Sequence, residues 1–405
     1  MHHPPRTVLI SGASIAGPAL AYWLDRYGFQ VTIVEKARAI RGGGYAIDIR
    51  GTAREVVDRM GLLTRLRSAH VDTRTVTFVD PEGVPIAAVR PEAVTGGQEG
   101  LDLEVRRGDL ADALHSEIHD RVEFLFSDSI ATLADRGDRV DITFDSGSRR
   151  TFDLVIGADG LHSHTRGLAF GEEAGFHRYL GFTFAGFTLS NDLGFAHEAV
   201  TWNSPGRAAV LSAHEPDAPL HGFLTFAQDE PPFDAFRNPE AQRDLVASKF
   251  PEQTWHLPQL VSAMRTADDL FFDIVSQIHM PTWSTGRVAL AGDAAHATSF
   301  MSGQGSSVSL VGAYVLAGEL AGHTDHTAAF TVYERTLRAF VEKNQALAVT
   351  GGNVVVPRTQ AILDARNEAL RDPAALTGAE GRAANTGLVL PDYGHADQHQ
   401  LPQHG

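Results

Sequence analysis

The sequence predicts an α/β protein in which a parallel sheet is interrupted by an inserted, mainly β region and followed by a C-terminal helix. Three apolar segments, residues 7–11, 154–156 and 288–291, indicate this fold class. Each has the length of a buried strand, and each is followed directly by a glycine. Continuous apolar runs of this kind are typical of parallel strands that helices cover on both faces.

The first strand belongs to a unit of strand, turn, helix and strand. Residues 7–11 precede a helical pattern at 16–27, and Gly28 suits the left-handed position that ends a helix. Residues 31–34 then form a second apolar strand. A unit of about 30 residues in this order is the usual beginning of a Rossmann-like sheet.

The remaining elements follow from hydrophobic periodicity and from turn residues. Helices are predicted at residues 53–67, 109–118, 241–249 and 306–321. Strands are predicted at residues 76–79, 84–89, 101–106, 122–126, 140–144, 182–189, 208–212 and 221–226.

These elements divide the chain into two domains. The Rossmann-like domain is predicted to contain residues 1–75, 100–174 and 276–325, and the inserted β domain residues 76–99 and 175–275. A C-terminal helical segment is predicted at 326–371. Residues 372–405 are predicted to form a mobile tail, because they are rich in Pro, Gly, His and Gln and lack periodicity.

The composition excludes several classes of protein. The formal net charge is −16 and no run is rich in lysine and arginine, so nucleic acid is not an expected partner. The absence of cysteine excludes disulfides and Cys-ligated metals, and the tail residues His395, His399 and His404 are interpreted as solvated, so no metal is expected. Without a membrane-length apolar run or a signal peptide, the expectation is a cytoplasmic enzyme, monomeric or homodimeric, that acts on small molecules.

The turn after the first strand has the composition of a phosphate-binding loop. Gly12 permits a tight turn and Gly17 permits close packing of the helix, while Ser14 occupies the middle position where glycine is usual. The N–H groups around Ile15 and Ala16 would lie at a helix N-terminus, where they bind anionic oxygens. The sequence therefore predicts a pyrophosphate site at this turn.

Acidic residues follow the strands that come next. Glu35 ends the second strand, where a carboxylate accepts hydrogen bonds from ribose hydroxyls. Asp159 and Gly160 follow the strand at 154–157, and Arg166 comes soon afterwards, within reach of an anion. Ligands bind at this end of the strands in open α/β sheets, so these residues are candidates for cofactor binding.

The third glycine-containing segment combines a carboxylate with a helix N-terminus. Asp293 follows Gly292 and would accept hydrogen bonds from a polyol such as a ribityl chain. Gly303 and Gly305 precede a helix that begins near Ser306, whose positive end would stabilise a reduced, anionic flavin. Three separated binding segments indicate one long dinucleotide held at several points, and FAD is such a ligand.

With these motifs in this order, the chain resembles the class A FAD-dependent monooxygenases, the family typified by para-hydroxybenzoate hydroxylase, and is closest to its tetracycline-inactivating and polyketide-tailoring members. The resemblance covers residues 5–350 and includes residues 104–110, where Arg107 matches an arginine that contacts the cofactor. It implies an FAD-binding domain of the GR2 type. The implied cofactor-binding residues are Gly12, Ser14, Ile15, Ala16, Gly17, Glu35, Lys36, Arg41, Arg107, Asp159, Gly160, Arg166, Gly292, Asp293, Gly303, Gly305 and Ser306.

The resemblance also implies a reaction. NAD(P)H would reduce the FAD, O2 would form a flavin C4a-hydroperoxide, and one oxygen atom would hydroxylate a polycyclic aromatic or phenolic substrate. The family has no separate nicotinamide domain, so Asp159 and Arg166 would serve both FAD and NAD(P)H. His296, the histidine of the third motif, would be structural.

Candidate substrate residues come from two regions. Residues 41–50 would run beneath the isoalloxazine, so Asp48 and Arg50 would face the substrate or form a surface ion pair. Aromatic residues alternate along strands of the inserted domain, where one face would line the pocket, with core packing as the alternative for each. The candidates are Phe182, Phe184, Phe187, His221, Phe223 and Phe226, and Phe300 from the loop beside the flavin.

Two departures from the family pattern leave the reaction open. Phe300 stands where a proline is usual, and Ser306-Ser307 stands where an asparagine is usual. The alternative function is therefore a flavin-containing cyclase or isomerase of natural-product biosynthesis, with FAD as a structural scaffold. A halogenase is disfavoured because no Trp-x-Trp-x-Ile-Pro segment occurs, and a non-catalytic dinucleotide sensor would need no large substrate domain.

Overall fold

The structure is a computed structural model that describes residues 6–40, 42–98, 100–372 and 378–394. The strands are β1 (Thr7–Ser11), β2 (Gln30–Glu35), β3 (Ala46–Ile49), β4 (Thr75–Val79), β5 (Pro85–Val89), β6 (Leu103–Arg106), β7 (Glu123–Phe126), β8 (Ile130–Asp135), β9 (Val140–Phe144), β10 (Arg149–Phe152), β11 (Leu154–Gly157), β12 (His177–Leu189), β13 (Glu198–Ser204), β14 (Arg207–Ala213), β15 (Leu220–Ala227), β16 (Phe271–Ile278), β17 (Ser284–Thr285) and β18 (Val288–Leu290). The α-helices are α1 (Ala16–Arg26), α2 (Thr52–Arg59), α3 (Leu63–Ser68), α4 (Pro91–Thr95), α5 (Arg107–Ser116), α6 (His164–Phe170), α7 (Pro239–Lys249), α8 (Leu257–Thr266), α9 (Asp293–His296), α10 (Gly305–Gly322), α11 (His326–Val355), α12 (Gln360–Arg371) and α13 (Ala379–Asn385).

A six-stranded sheet in the order β17-β18-β11-β1-β2-β7 carries the three glycine-containing segments. Strand β1 pairs in parallel with β11 and with β2, and β11 pairs in parallel with β18. The α/β fold with a parallel, Rossmann-like sheet is confirmed. The carboxyl ends of β1, β11 and β18 meet at one edge, which is where open α/β sheets bind ligands.

A seven-stranded sheet in the order β16-β12-β15-β14-β13-β4-β5 forms the second layer. One face of this sheet packs against helices α7 and α8 through a hydrophobic core that includes Leu220, Leu224 and Phe226. Because side chains alternate along a strand, the other face carries His221 and Phe223. We call it the cleft face, because it lies towards the glycine loops of the six-stranded sheet.

Helix α10 is the central helix of the fold. Most of its residues are buried on all sides, and it contacts α1, α2 and α11. A helix that is apolar all round has to be enclosed by other elements, which explains its position. No helix in the part of the chain that the structure describes is long and apolar enough to cross a membrane.

Two local expectations were wrong. The helix expected at residues 53–67 is divided into α2 and α3 because Gly61 adopts a φ of +75°, which ends a helix. The expected strand β9 has two neighbours that the pattern did not indicate, β8 and β10, and the three form a separate antiparallel sheet. Both neighbours contain many exposed polar residues, so their hydrophobic alternation is weak.

The C-terminal tail is only partly as expected. Helices α11 and α12 occupy the segment 326–371, but the prediction of a mobile tail is wrong for residues 378–394. There Tyr393 packs so closely on α10 that a Cβ atom on Gly318 would lie 2.1 Å from its ring, and its hydroxyl donates a hydrogen bond to Glu319 at 2.8 Å. The tail histidines 395, 399 and 404 lie outside the described residues.

Candidate functional site

The turn after β1 packs directly against the turn after β11. Gly12 has a φ of +108°, and a Cβ atom on it would lie 2.5 Å from the carbonyl oxygen of Ala158. A Cβ atom on Gly17 would lie 1.9 Å from the carbonyl oxygen of Gly12. Only glycine permits this packing, and no side chain caps the N-terminus of α1 after Ile15. The first N–H groups of α1, from Ala16 onward, are therefore available to an anionic ligand.

Arg107, at the start of α5, lies beside this turn. Its guanidinium donates a hydrogen bond to the Ser14 hydroxyl at 2.7 Å. The serine that departs from the usual glycine therefore orients a cation at the phosphate-binding turn. A positive charge next to a helix N-terminus suits a pyrophosphate.

Glu35 supports the same turn through the backbone. Its two carboxylate oxygens accept hydrogen bonds from the N–H groups of Ala13 at 2.9 Å and Ala37 at 2.8 Å. Each oxygen keeps a second lone pair, so an additional bond to a ribose hydroxyl is compatible with this geometry. Lys36 is exposed beside it, and Arg41 lies outside the described residues.

Asp159 is engaged by the protein itself. One carboxylate oxygen accepts hydrogen bonds from the N–H and hydroxyl groups of Thr165 at 2.9 and 2.8 Å, and the other accepts one from Ser163. Gly160, with a φ of +84°, turns the chain towards α6. Asp159 thus fixes the start of α6, and its role in cofactor binding stays a prediction.

Arg166 requires a correction of the sequence-based expectation. Its side chain is completely buried, and its guanidinium donates hydrogen bonds to the carbonyl oxygens of Ala294 at 2.9 Å and Leu161 at 2.7 Å. It also forms an ion pair with Glu173 at 2.7 Å. Both terminal nitrogens of the guanidinium are taken by protein acceptors, and its Nε is buried without a partner. Arg166 therefore orients the turn around Asp293 and is not exposed to an anionic ligand.

Asp293 and the N-terminus of α10 present unpartnered polar groups. Within the described residues, the Asp293 carboxylate accepts no hydrogen bond, and burial raises its pKa, an effect that nearby Arg107 opposes. Gly292 and Gly303 have φ angles of +60° and +65°, and no side chain caps α10, which begins at Gly305-Ser306. The buried amide of Gln304 also lacks a partner. These unpartnered groups suit a ligand that carries several polar atoms along one edge, and FAD is such a ligand.

An aromatic cluster lies between Asp293 and the cleft face of the seven-stranded sheet. The Phe300 ring stacks on Phe184 at 4.7 Å between centroids and contacts Phe223 at 5.7 Å. Phe223 meets Tyr45 edge-on at 5.5 Å, and Phe271 contacts Phe184 at 5.7 Å. Burial raises the pKa of the Tyr45 phenol, with Asp293 adding to the effect and Arg107 opposing it. Tyr45 therefore connects the expected flavin edge with the aromatic cluster.

The backbone before Phe300 has an unusual conformation. Ser299 has φ +88° and ψ 147°, a region that is almost confined to glycine, and its hydroxyl accepts a hydrogen bond from the Met301 N–H. This conformation directs the Phe300 ring onto Phe184, where 36% of Phe300 remains exposed. The departure from the family's proline therefore contributes an accessible aromatic surface.

The other candidate aromatic residues have different surroundings. Phe182 is on the cleft side but is buried in a core cluster, under the guanidinium of Arg358 at 4.3 Å. Phe187 and Phe226 belong to the core on the helix face, which is the core-packing alternative. The alternation of aromatic residues was correct, but only the sheet packing decides which face is covered by helices.

Asp48 and Arg50 form a partly buried ion pair at 2.6 Å. Arg50 also donates a hydrogen bond to the Thr95 carbonyl at 3.1 Å, and the Ser307 hydroxyl donates one to the Asp48 carbonyl at 3.1 Å. A Cβ atom on Gly303 would lie 3.7 Å from Asp48 Oδ2. The pair therefore lies beside the N-terminus of α10 and is not a surface salt bridge.

Further polar residues continue from Asp48, and of these only His221 was a candidate from the sequence. Glu104 lies directly opposite Asp48 in the antiparallel pair of β3 and β6, and Arg106 shares its face of β6. On the cleft face, His221 lies 5.4 Å from His214 between ring centroids. Burial, the neighbouring imidazole and Arg106 lower the pKa of His214 to about 4. We call Glu104, Arg106, His214 and His221 the polar wall.

His296 is structural, as the family resemblance implied. It is 2% exposed, packs on Trp283 at 4.7 Å between ring centroids, and lies next to the Tyr333 hydroxyl. Burial lowers the pKa of His296 to about 4, so the imidazole is neutral. Among the described residues, no group of three His, Cys, Asp or Glu side chains is arranged to hold a metal ion.

His162 connects the two sheets. Its Nδ1 lies 2.8 Å from Glu173, which pairs with Arg166, and its Nε2 lies 3.1 Å from Asp273 on β16. Hydrogen bonds with Asp273 and Glu173 raise the pKa of His162 to about 9. The imidazolium form is thus bound by one carboxylate from each side of the cleft.

This bridge predicts a pH dependence of stability. Because the folded-state pKa of His162 exceeds the ordinary value of 6.5, its contribution is fully present below pH 6.5 and is lost as the pH rises through about 9. We expect His162→Gln to lower the melting temperature at pH 6 but much less at pH 10. The control is His119→Gln, since its side chain is 49% exposed against 47% for His162 and has a single acidic neighbour. Equal losses at both pH values would contradict the prediction.

Comparisons with known proteins agree with this geometry. A family model described as an FAD binding domain matches residues 6–346. An uncharacterized protein of Mycobacterium tuberculosis (strain ATCC 25618 / H37Rv) is 44% identical over 346 residues, covering 84% of this chain and 92% of its own. A flavin-dependent monooxygenase from an unknown prokaryotic organism is 39% identical over 345 residues, covering 85% of this chain and 89% of its own.

Solved structures have the same fold. Tetracycline destructase Tet(55) superimposes with a TM-score of 0.85 at 34% identity, covering 97% of this chain and all of its own. Klebsiella pneumoniae HpxO complexed with FAD and uric acid superimposes with a TM-score of 0.73 at 20% identity, covering 94% of this chain and 97% of its own. The second likeness extends to the fold alone.

Proposed function

Because the chain belongs to the class A FAD-dependent monooxygenases, we propose that it uses NAD(P)H and O2 to hydroxylate a polycyclic aromatic or phenolic small molecule. The observation that carries the proposal is the aromatic cluster around Phe300, which lies between Asp293 and the cleft face. A flat aromatic substrate stacks favourably on such rings. The tetracycline destructases among the structural relatives, named for a polycyclic phenol, support the same substrate class.

The residues that would hold FAD are distributed over the three strand ends. The N-terminus of α1 and Arg107 suit the pyrophosphate, Glu35 suits a ribose, and Asp293 suits the ribityl hydroxyls. The N-terminus of α10 suits the pyrimidine edge, where its partial positive charge favours the reduced anion. The chemistry that bound FAD would supply is to accept hydride from NAD(P)H and to activate O2. The surrounding aromatic side chains orient the substrate and exclude water from the cleft.

An isotope experiment tests this function against the cyclase alternative. We expect NAD(P)H oxidation by the FAD-loaded protein to accelerate when tetracycline or a related polycyclic phenol is added, and one atom of 18O2 to enter the product. A cyclase or isomerase would convert its substrate without O2 and without a gain in mass. Conversion under argon to a product of unchanged mass would therefore overturn the monooxygenase proposal and leave the FAD site intact.

The role of Phe300 gives a separate prediction. Phe300→Ala removes the accessible ring, and since an aromatic pair contributes roughly 0.5–1.5 kcal/mol, we expect tetracycline to bind up to about tenfold more weakly. Binding is measured from the change in flavin absorbance during titration. Phe233→Ala is the control, because Phe233 is 67% exposed and lies outside the aromatic cluster. Equal dissociation constants for the two variants would mean that the substrate does not contact Phe300.

A further inference from the structure

The polar wall contains two groups that the proposed function leaves unexplained. Glu104 faces Asp48 across the β3–β6 pair, although carboxylates that are directly opposite repel each other. His214 is 3% exposed, and neither of its ring nitrogens has a hydrogen-bond partner. Buried polar groups are normally satisfied, so an unpartnered imidazole facing a cleft indicates that a ligand supplies the missing partner.

The alternation along β6 determines where Glu104 points. Leu103 and Val105 belong to the core of the Rossmann-like domain, so Glu104 and Arg106 project from the opposite face. Arg106 is close enough to lower the pKa of both His214 and His221. Arg106, and with it the face of β6 that carries Glu104, therefore borders the part of the cleft where the two histidines lie.

Asp48 and Glu104 differ in their partners. Asp48 is paired with Arg50 at 2.6 Å, whereas Glu104 has no ion pair within the described residues. Burial first, and the charge of Asp48 second, raise the pKa of Glu104 to about 7, while Thr73 and Arg50 oppose the shift. The other charged or titratable groups near Glu104 are Arg106, on the same face of its strand, and His70, which contacts its backbone. Arg106 in turn lies near His214 and His221.

We propose that Glu104 is the proton acceptor for a ring hydroxyl of the substrate, and that His214 binds a neighbouring oxygen of the same ring. This inference rests on the proposed function and specifies the substrate as a hydroxylated aromatic whose hydroxyl ionises in the cleft. The O–H bond breaks, both electrons stay on the oxygen, and the proton moves to the Glu104 carboxylate. The resulting oxyanion makes the ring richer in electrons and so more reactive towards an electrophilic oxygen. A base with a pKa close to the working pH suits such a transfer.

Infrared spectroscopy tests the first half of the proposal without any substrate. The FAD-loaded wild-type protein should show the C=O stretch of a protonated carboxyl group that titrates near pH 7, and Glu104→Gln should remove it. Asp48→Asn should move this titration to lower pH, because the repelling charge is gone. Glu123→Gln is the matched control, since its pairing with Arg150 lowers the pKa of Glu123 and the band should persist. The band is measured in the difference spectrum between wild type and Glu104→Gln, in which the carboxyl of Asp293, whose pKa burial also raises, cancels. A difference spectrum without a titration near pH 7 would overturn the proposal.

A chromophoric phenol tests the second half. The absorption of 7-hydroxycoumarin distinguishes its neutral form from its anion, so its ionisation midpoint can be measured while it is bound. We expect this midpoint to be higher by about one pH unit in the wild-type protein than in Glu104→Gln, because an ionised Glu104 beside the hydroxyl opposes a second negative charge. His214→Phe should weaken binding of the probe in both backgrounds.

The outcomes separate the two proposals. If no hydroxylated aromatic probe binds to the wild-type protein, the proposed function is overturned and this role of Glu104 with it. If the probe binds normally but its ionisation midpoint is the same in Glu104→Gln, only the role of Glu104 is overturned. Retention of both the infrared titration and the midpoint shift in Glu123→Gln supports the assignment to Glu104.

Discussion

Gly17→Ala is expected to abolish FAD retention. The added methyl group would lie 1.9 Å from the carbonyl oxygen of Gly12, and that atom belongs to a backbone turn that cannot rotate away. Either α1 moves away from the turn or the turn opens, and both changes displace the N–H groups that suit the pyrophosphate. Overpacking of this kind costs roughly 1–3 kcal/mol, so the melting temperature should also fall.

Gly167→Ala is the matched control for this substitution. Gly167 lies within α6, and a Cβ atom there would meet nothing within 4 Å. Replacing a helical glycine by alanine in open space stabilises a helix by about 0.5–1 kcal/mol. FAD content after gel filtration, measured from the ratio of flavin to protein absorbance, should be close to wild type for Gly167→Ala and near zero for Gly17→Ala. Equal FAD contents would show that the first turn does not bind the cofactor.

Asp293→Asn should change FAD affinity and apoprotein stability in opposite directions. If Asp293 accepts hydrogen bonds from the ribityl chain, their loss costs roughly 1–3 kcal/mol, which corresponds to a dissociation constant about 5- to 150-fold higher. Burial raises the pKa of Asp293 in the folded protein, so its ionised form is unfavourable there above the ordinary carboxyl pKa. Removing that charge should therefore raise the melting temperature of the apoprotein at pH 7.

Asp120→Asn serves as the control for this prediction, because the side chain of Asp120 is 84% exposed and the residue follows the C-terminal end of α5, outside the turns that carry the FAD site. Fluorescence titration of the apoproteins with FAD gives the affinities, and thermal denaturation without FAD gives the stabilities. A lower apoprotein melting temperature combined with unchanged FAD affinity in Asp293→Asn would identify Asp293 as a structural residue and contradict its role in binding.

The features that local chemistry controls could be predicted from the sequence. Gly12 and Gly17 indicate a turn where a side chain has no room, and the structure has backbone atoms at those places. The apolar runs that became β1, β11 and β18 indicate buried parallel strands, and these three strands are neighbours. Such signals lie within a few consecutive residues, so they can be interpreted without knowledge of distant parts of the chain.

The roles of charged side chains could not be predicted in the same way. Arg166 follows its motif at a spacing that suits an anionic ligand, but Glu173 and two carbonyl oxygens enclose its guanidinium. The neighbours of a long side chain come from segments whose positions the local pattern does not determine. Sequence spacing therefore indicates reach, and only the packing shows which acceptor is used.

By itself, the sequence determined the class of fold, the order of its glycine turns and the kind of cofactor that they suit, because backbone geometry and apolar periodicity are properties of short segments. The tertiary structure alone decided that Glu104 lies opposite Asp48, that His214 faces the same part of the cleft, and that Tyr393 packs on α10. Each of these contacts joins residues that are far apart along the chain. Strand register and the packing of whole elements set such distances, and neither is encoded in the pattern of any single segment.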